Sequence, residues 1–330
     1  MEYRELGRTG VRVPEIGFGC GNVGGLMIRA PHDEQVAAVR HALAEGIDYF
    51  DTATAYGDGE SEMHLGEVLA EIGAEVHVAT KVRLSLDDRA DIPAAVRRSV
   101  EGSLRRLRRE HIDIIQLHNN VTLERDGVGS TIALADVLGP GGVADAFDAV
   151  KGEGLARHIG FTGMGETPAL HQIVDSGRFE TMQSYYNMLN PSAGNAVPAS
   201  YPNQDYDGLI ARASARGMGV IVIRVLAGGT LGGSDRHTLA SAKLGAPMAT
   251  GNDYDSDLRR AGALGFLARD GWSLPQAGIR FALDNRQVST VLVGFSDQAQ
   301  MDEALAAQRA PSADAATRER VERLWATDFS

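Results

Sequence analysis

Four residues with polar side chains carry groups that could move a proton. Asp51 and Tyr56 lie five positions apart, Lys81 follows a threonine, and His118 follows a leucine. A tyrosine phenol is protonated at neutral pH, so it can donate a proton to an oxygen on which negative charge develops. A neighbouring lysine ammonium lowers the pKa of such a phenol by favouring the phenolate that remains. The set is therefore suited to protonation of a carbonyl oxygen during reduction.

Asp51 and His118 complete this chemistry. A lysine in a partly desolvated site loses its charge unless a carboxylate pairs with it, and Asp51 could provide that carboxylate. His118 could orient the substrate oxygen by hydrogen bonding. Each of the four residues also has an ordinary structural explanation, such as a helix cap, loop packing, a surface position or a buried histidine. The prediction of a site therefore depends on whether the fold brings the four side chains together.

The elements that would position these residues are short apolar runs, which are typical of buried parallel strands. Eight such runs cover residues 16–19, 47–53, 76–82, 112–118, 158–163, 181–186, 220–226 and 288–295. Amphipathic stretches between them predict helices over residues 32–46, 61–74, 92–110, 142–154, 167–177, 208–216, 256–269 and 275–285. This alternation predicts a parallel sheet, and eight units of similar spacing favour a closed (β/α)8 TIM barrel. The strand ends of a barrel converge at one mouth, which would bring the four residues together.

The remaining segments fit a single barrel domain over residues 1–330. Residues 3–6 and 11–14 flank a Gly-Arg-Thr-Gly turn and predict an N-terminal β-hairpin that closes the bottom of the barrel. Loops 190–207 and 228–255 follow the sixth and seventh strands and exceed ordinary loop lengths. Since loops after barrel strands lie on the C-terminal face, we predict that both loops cover substrate or cofactor.

Composition and charge argue against several classes of protein. The chain is 43% hydrophobic with a net charge of −12, which predicts a globular core and no basic surface for a nucleic acid. Six arginines between positions 97 and 109 recur at helical spacing, and we interpret them as a solvated helix face. The only cysteine, Cys20, leaves no partner for an internal disulfide or a zinc cluster. No apolar run of about 18 residues and no secretion signal is present, so we expect a cytoplasmic protein without membrane association.

Several segments, in order along most of the chain, resemble those of aldo-keto reductases. They are Gly-Arg-Thr-Gly at 7–10, Ile-Gly-Phe-Gly at 16–19, Ile-Asp-Tyr-Phe-Asp-Thr-Ala at 47–53, Tyr-Gly at 56–57, Thr-Lys at 80–81, Leu-His at 117–118, Ile-Gly-Phe-Thr at 159–162, Gln183, and Val-Gly-Phe-Ser at 293–296. The resemblance implies reduction of a small aldehyde or ketone to an alcohol, or the reverse, with NADP(H) bound in an extended form without a Rossmann fold. It also implies a tyrosine acid, Tyr56, a supporting Lys81 and Asp51, and His118 as the fourth member of the site.

The same resemblance implies contacts with the cofactor. Gln183 and the pair Thr162-Gly163, which stands where the family usually has Ser-Asn, would hold the nicotinamide carboxamide. Tyr186, or its neighbour Tyr185, would stack on the nicotinamide from the sixth strand. The seventh strand departs from the family pattern and carries a charged arginine in an apolar run, which indicates a contact with cofactor or substrate. The further predicted contacts are Gly21, Arg224, Leu226, Gly228, Gly294, Ser296, Gln300 and Glu303.

The choice between NADP(H) and NAD(H) depends on a partner for the 2′-phosphate, which normally needs Arg or Lys. The segment 294–304 after the eighth strand contains no cation, although Ser296 and the amides that open the next helix could accept a phosphate. We predict that Arg236, in the loop after the seventh strand, supplies the missing charge. A moderate preference for NADP(H), with NAD(H) also possible, follows.

Three alternatives remain open from the sequence. Residues 19–24 match Gly-x-Gly-x-x-Gly after a strand, which is typical of Rossmann folds, but the helical pattern begins only near His32, so we interpret the glycines as a loop at the barrel mouth. A barrel of this kind could instead be a binding subunit that senses a nicotinamide cofactor with little turnover. A metal-dependent hydrolase is the weaker enzyme alternative, because the nine histidines include no His-Glu-x-x-His motif, and we predict no metal site.

Overall fold

Twelve strands are present in the computed structural model, which describes residues 1–232 and 254–330. In chain order the strands are β1 (Tyr3–Glu5), β2 (Arg12–Pro14), β3 (Ile16–Gly19), β4 (Tyr49–Asp51), β5 (His77–Val82), β6 (Ile112–Leu117), β7 (Asn120–Thr122), β8 (Thr131–Ala133), β9 (Ala156–Gly163), β10 (Thr181–Tyr185), β11 (Gly219–Ile223) and β12 (Thr290–Gly294). Strands β3 to β6 and β9 to β12 close into a parallel barrel, in the order β3-β4-β5-β6-β9-β10-β11-β12 and back to β3. The predicted (β/α)8 barrel is therefore confirmed.

Helices follow the barrel strands and cover the outside of the barrel. They are α1 (Leu26–Arg29), α2 (His32–Ala44), α3 (Glu60–Ile72), α4 (Ile92–Leu107), α5 (Leu134–Leu138), α6 (Val143–Gly152), α7 (Thr167–Ser176), α8 (Leu209–Ala215), α9 (Tyr254–Ala263), α10 (Leu274–Asp284), α11 (Gln298–Ala306) and α12 (Ala315–Ala326). Within residues 1–232 and 254–330, none of them combines the length and the apolar character needed to cross a bilayer. The open Rossmann sheet is wrong for this chain, because the sheet is closed and α2 begins thirteen positions after Gly19, the last residue of β3.

Apolar side chains fill the lower part of the barrel and leave the upper mouth to polar residues. One buried cluster lies inside the strands and includes Tyr49, Ile114, Ile221 and Leu292. The β1–β2 hairpin, which was predicted at this end, contributes Leu6 and Val13 to the same cluster. The hairpin thereby closes the barrel floor and leaves the C-terminal end of the strands as the open end of the described barrel.

Element boundaries differ from the predicted ones where the backbone turns. The seventh strand was predicted to reach residue 226, but β11 ends at Ile223 because Arg224 has a left-handed φ of 56°. A short 3-10 helix, Ala227–Gly232, follows and contains two further left-handed glycines. The predicted helix over residues 256–269 is α9 followed by a separate 3-10 turn, Gly265–Leu267. The chain therefore bends sharply at the mouth next to β11.

The arginine-rich helix α4 lies between α3 and α6 and pairs with both of them. Asp91 accepts a hydrogen bond from the Ala94 amide and caps the start of α4, whereas the left-handed Arg108 ends it. The arginine face was interpreted as solvated, and most of these side chains are indeed surface groups. Arg106 is different because its guanidinium pairs with the fully buried carboxylate of Glu62 on α3. Part of the arginine face is thus an interior contact.

Candidate active site

The ammonium group of Lys81 joins the second and third strands of the barrel. Lys81 Nζ donates to Asp51 Oδ1 at 2.5 Å, to the Thr52 carbonyl at 2.8 Å and to the Tyr56 hydroxyl at 3.3 Å. All three ammonium protons are therefore used. Burial disfavours the charged lysine, but Asp51 and Tyr56 outweigh that effect and raise the pKa of Lys81. Lys81 is accordingly a fixed cation at neutral pH.

Tyr56 lies on the loop after β4 with its hydroxyl next to this cation. Lys81 was predicted to lower the pKa of the phenol, and its charge does act in that direction. Burial is the larger effect, however, and together with Asp51 it raises the pKa of Tyr56 above its ordinary value. The predicted net lowering is therefore wrong, and the phenol carries its proton throughout the neutral range.

His118 lies directly after β6 with its ring perpendicular to that of Tyr56, at a centroid distance of 5.8 Å. Burial, followed by the charges of Lys81 and Arg83, lowers the pKa of His118 to about 3. The imidazole is thus neutral at physiological pH. Its Nδ1 atom is buried and has no hydrogen-bond partner within the part of the chain that the structure describes.

Two glutamines surround the second oxygen of Asp51. Gln183 on β10 donates to Asp51 Oδ2 at 2.6 Å, and Gln116 on β6 donates to the same atom at 3.3 Å. Thr162 on β9 faces Gln183, with 3.5 Å between its hydroxyl and Gln183 Oε1. Burial raises the pKa of Asp51, whereas Lys81 and the two amides oppose that rise. Gly163 closes β9, and a Cβ there would lie 2.8 Å from the Gln183 carbonyl oxygen.

Gln116 was missed by the sequence analysis although a signal was present. It is a polar residue inside an apolar strand, two positions before His118 and therefore on the same face of β6. Its side-chain oxygen is buried without a partner in the described residues.

A buried polar network behind β4 holds the loop that carries Tyr56. Glu62 on α3 accepts hydrogen bonds from Thr80 at 2.5 Å, from Arg106 at 2.7 Å and from Thr54 at 3.3 Å. Arg106 also donates to Thr54 at 3.0 Å, halfway along the loop from Asp51 to Tyr56. The geometry of the Tyr56 loop therefore depends on two helices outside the barrel.

A cavity of about 320 Å³ opens from Tyr56 across the ends of β3, β12 and β11. Its wall includes the predicted contacts Gly21, Arg224, Leu226, Gly228, Gly294, Ser296, Gln300 and Glu303, together with Asp51 and Tyr56. Glycines in this wall allow neighbouring backbone segments to pack closely against one another. A Cβ on Gly24, for example, would lie 2.4 Å from the Phe295 amide nitrogen. Eight of the predicted contacts thus line one continuous cavity.

The far end of the cavity differs from the anion site that the sequence predicted. The Ser296 amide donates to Gln300 Oε1 at 2.9 Å, and the Ser296 hydroxyl donates to the Gly24 carbonyl at 2.9 Å. Asp297 caps α11 by accepting from the Gln300 amide. Ser296 is therefore poorly suited to bind a phosphate, because both of its donors are engaged and the carboxylates of Asp297 and Glu303 are close by. Arg236, the other predicted partner, lies outside the described residues.

Tyr186 does not lie in the cavity wall. Its hydroxyl donates to Asn195 Oδ1 at 2.6 Å, and its ring packs on Phe281 with 5.0 Å between centroids. Side chains alternate along a strand, so Gln183 and Tyr185 face the barrel interior whereas Tyr186 faces the helices. Of the two residues predicted to stack on nicotinamide, Tyr186 is thus directed away from the barrel mouth, and Tyr185, whose ring centroid lies 5.9 Å from the Arg224 guanidinium, is left as the candidate.

The layout of a polar cluster above an apolar barrel floor is typical of (β/α)8-barrel enzymes. The model of the aldo/keto reductase family matches residues 15–325. The chain therefore belongs to the aldo/keto reductase family, whose members are oxidoreductases that use nicotinamide cofactors, and the resemblance inferred from the sequence is confirmed. Within residues 1–232 and 254–330, no group of three or more His, Cys, Asp and Glu side chains is arranged to hold a metal ion.

Similar proteins include two sugar dehydrogenases and one solved reductase. L-galactose dehydrogenase of Arabidopsis thaliana is 27% identical over 317 residues, which are 93% of this chain and 88% of that protein. D-threo-aldose 1-dehydrogenase of a Pseudomonas species is 27% identical over 322 residues, which are 89% of this chain and 88% of that protein. The structure of an aldo-keto reductase from Bacillus halodurans in its holo form superposes with a TM-score of 0.70 at 23% identity, over 98% of this chain and 96% of that one. The last comparison supports the fold alone.

Proposed function

We propose that this chain transfers a hydride between NAD(P)(H) and the carbonyl carbon of an aldehyde or ketone, with Tyr56 as the proton donor to the oxygen. The observation that carries the proposal is the contact of Lys81 Nζ with both Asp51 and the Tyr56 hydroxyl at the inner end of the cavity. A phenol, a buried cation and an open cavity thus come together at this place.

The cavity suits an extended dinucleotide. It runs from Tyr56 along glycine-lined strand ends to polar groups at the start of α11, so an elongated ligand can lie against backbone throughout. Gln183 and Thr162 would hold the nicotinamide carboxamide near Asp51, and Tyr185 would cover the ring. Gln300 and Glu303 would contact the adenosine end. When bound, the cofactor supplies the hydride in reduction or accepts it in oxidation.

The residues of this chain account for the proton. In reduction, Tyr56 Oη gives its proton to the carbonyl oxygen as the hydride reaches the carbon, so that C=O becomes CH–OH. The phenolate left behind lies 3.3 Å from Lys81 Nζ, whose positive charge Asp51 maintains. His118 is neutral and can donate a hydrogen bond to the same oxygen without delivering a full positive charge. In oxidation, the Tyr56 phenolate takes the hydroxyl proton.

Aldoses belong among the substrates that we propose. Two relatives that match nearly the whole chain are named for the dehydrogenation of sugars. Removal of the C1 hydride from a cyclic aldose, with transfer of its hydroxyl proton to Tyr56, would give a lactone. The direction of the reaction is thus expected to depend on the cofactor supplied.

Assays that follow nicotinamide absorbance test the proposed function. We expect turnover of at least one member of a panel of aldehydes, ketones and aldoses, with NADPH or NADH for reduction and the oxidised forms for aldoses. Tight cofactor binding without turnover of any of them would instead support the cofactor-sensing subunit. Bound zinc, together with hydrolysis of a test ester that a chelator abolishes and zinc restores, would support the metal-dependent hydrolase.

A further inference from the structure

Arg83 stands beside His118 at the barrel mouth. The β5–β6 ladder pairs Lys81 with Gln116 and Val82 with Leu117, and the His118 amide donates to the Val82 carbonyl at 2.8 Å. The next residues, Arg83 and His118, are therefore side by side. Because side chains alternate along a strand, Arg83 points in the direction of Lys81, one layer closer to solvent.

The backbone at this position is held in place. Asn119 Oδ1 accepts from the Leu84 amide at 2.9 Å, and Asn119 Nδ2 donates to the Leu84 carbonyl at 2.8 Å. These two bonds lock the residue after Arg83 to the residue after His118. They fix the backbone from which the Arg83 side chain extends, so the guanidinium stays within reach of the mouth beside His118.

The guanidinium of Arg83 is exposed and has no ion pair or hydrogen bond within the described residues. Carboxylates are plentiful in this chain, which has 44 Asp and Glu against 32 Lys and Arg. Arginines of the same region have partners: Arg98 pairs with Asp88, and Arg89 donates to the Thr131 carbonyl. The positive charge of Arg83 also acts on the candidate site, because it is one of the causes that lower the pKa of His118.

The cofactor cannot account for Arg83. The cavity follows the ends of β11, β12 and β3, whereas β5 and β6 lie on the opposite side of the barrel beyond β4. A dinucleotide held along that cavity would therefore place its phosphates on the side of the barrel away from Arg83. Lys81 is not available to a second anion either, because its three protons are already donated.

We propose that Arg83 binds an anionic group of the substrate, a carboxylate or a phosphate, several bonds away from the reacting carbon. This inference rests on the proposed function and names the substrate class of the same site. A guanidinium presents paired N–H groups that match the two oxygens of either anion. Sugar acids, sugar phosphates and oxo-acids have the required combination of a carbonyl or hemiacetal carbon and a distant negative charge.

Matched substrates test the inference. Butanal and 4-oxobutanoate differ by a carboxylate, and glyceraldehyde and glyceraldehyde 3-phosphate differ by a phosphate, so the two pairs distinguish the two anions. For at least one pair, we expect wild-type kcat/KM to be about tenfold higher for the anionic member, mainly through KM, which corresponds to about 1.4 kcal/mol. Arg83→Gln should bring that ratio close to one, and Arg83→Lys should leave an intermediate ratio.

Arg105→Gln is the control, because Arg105 is exposed on α4 outside the barrel; it should leave the ratio unchanged. Turnover of neutral aldehydes with a ratio that Arg83→Gln does not alter would overturn the inference and leave the proposed function intact. If no carbonyl is turned over, the proposed function fails, and calorimetric titration of the protein with succinate and with inorganic phosphate decides the anion site alone. Binding that Arg83→Gln abolishes would then support the site, and the absence of binding, or binding unaffected by the substitution, would overturn it.

Discussion

Tyr56 is the residue on which the proposed chemistry depends most directly. Its phenol is half-buried, its pKa is raised above the ordinary value by burial, and Lys81 Nζ lies 3.3 Å from the oxygen that would lose the proton. We expect Tyr56→Phe to lower kcat for carbonyl reduction by at least about 100-fold, which is the usual contribution of a general acid. Cofactor affinity should change little, because the ring and its packing remain.

Tyr49→Phe is a matched control on β4, the strand that precedes the Tyr56 loop. Tyr49 is fully buried in the barrel floor, and its hydroxyl has no partner in the described residues. The same substitution there should leave kcat and the cofactor dissociation constant near their wild-type values. Near-normal turnover by Tyr56→Phe, measured by steady-state kinetics and cofactor fluorescence titration, would remove Tyr56 from the mechanism.

Arg236 is the remaining predicted partner for a 2′-phosphate, since Ser296 has its donors engaged. We expect Arg236→Ala to narrow the preference for NADPH over NADH by roughly tenfold, equivalent to about 1.4 kcal/mol for one charged contact. The measurement is kcat/KM with both cofactors for wild type, the variant and Arg105→Ala as control. An unchanged ratio would exclude Arg236, and a wild type that prefers NADH would contradict the NADP(H) prediction itself.

The sequence predicts which residues are candidates for the site better than it predicts the contacts that each of them makes. Asp51, Lys81 and His118 were predicted as candidates because each is a polar group near the end of an apolar run, and Tyr56 because it closely follows one. The alternation of side chains along a strand predicts that Tyr185 faces the barrel interior and that Tyr186 does not. It also places Gln116 on the same face as His118. Neither inference was drawn from the sequence. The occupied hydroxyl of Ser296 was beyond prediction, because its acceptor is the carbonyl of Gly24, which is 272 positions away.

Helices α3 and α4 pack closely at Gly66, and this contact supports the loop that carries Tyr56. A Cβ on Gly66 would lie 2.5 Å from the Arg106 carbonyl oxygen and 2.8 Å from Leu107 Cα. Both neighbours are backbone atoms that cannot rotate away. We therefore expect Gly66→Ala to lower the free energy of unfolding by about 1–3 kcal/mol, as overpacked contacts do. Urea denaturation followed by circular dichroism measures the change.

Gly262 on α9 provides the matched comparison. It is exposed, and a Cβ there would meet no atom within 4 Å. Gly262→Ala should raise the free energy of unfolding by up to about 1 kcal/mol, because alanine loses less backbone entropy in a helix. Equal changes in the free energy of unfolding for Gly66→Ala and Gly262→Ala would contradict the close α3–α4 contact at Gly66.

Elements with a clear apolar period were predicted well, and elements defined by tertiary context were not. The eight barrel strands and the hairpin follow from runs and turns in the sequence. Strands β7 and β8 are three residues each, and they pair with one another in the loop after β6, so no local pattern marks them. Helices α11 and α12 follow the last barrel strand, where the alternation that guided the prediction has ended. The end of β11 was not predicted because Arg224 adopts a left-handed φ, which is rare for residues other than glycine.

Across the whole molecule, the candidate chemistry and the ion pairs of Glu180 with Lys151 and His158 occupy opposite ends of the barrel. Asp51, Tyr56, Lys81 and His118 lie at the C-terminal end of the strands. Glu180, just before β10, lies at the N-terminal end, where it accepts from Lys151 of α6 at 2.7 Å, from the His158 ring at 3.2 Å and from the Ile159 amide at 3.1 Å. Stability and activity should therefore be separable by substitution.

Glu180→Gln tests this separation through its dependence on pH. Partial burial alone would raise the pKa of Glu180, but the hydrogen bonds from His158, Lys151 and the Ile159 amide outweigh it and lower the pKa to about 2. A carboxylate with a lowered pKa stabilises the folded state fully above its unfolded pKa of about 4.3, and that contribution is lost as pH falls towards the folded value.

We expect Glu180→Gln to lower the free energy of unfolding at neutral pH by on the order of 2 kcal/mol, with kcat unchanged. The difference from wild type should shrink below about pH 4 and vanish near pH 2, as measured by urea denaturation across that range. A difference that stays constant with pH would mean that the substitution acts through packing rather than through the charge of Glu180.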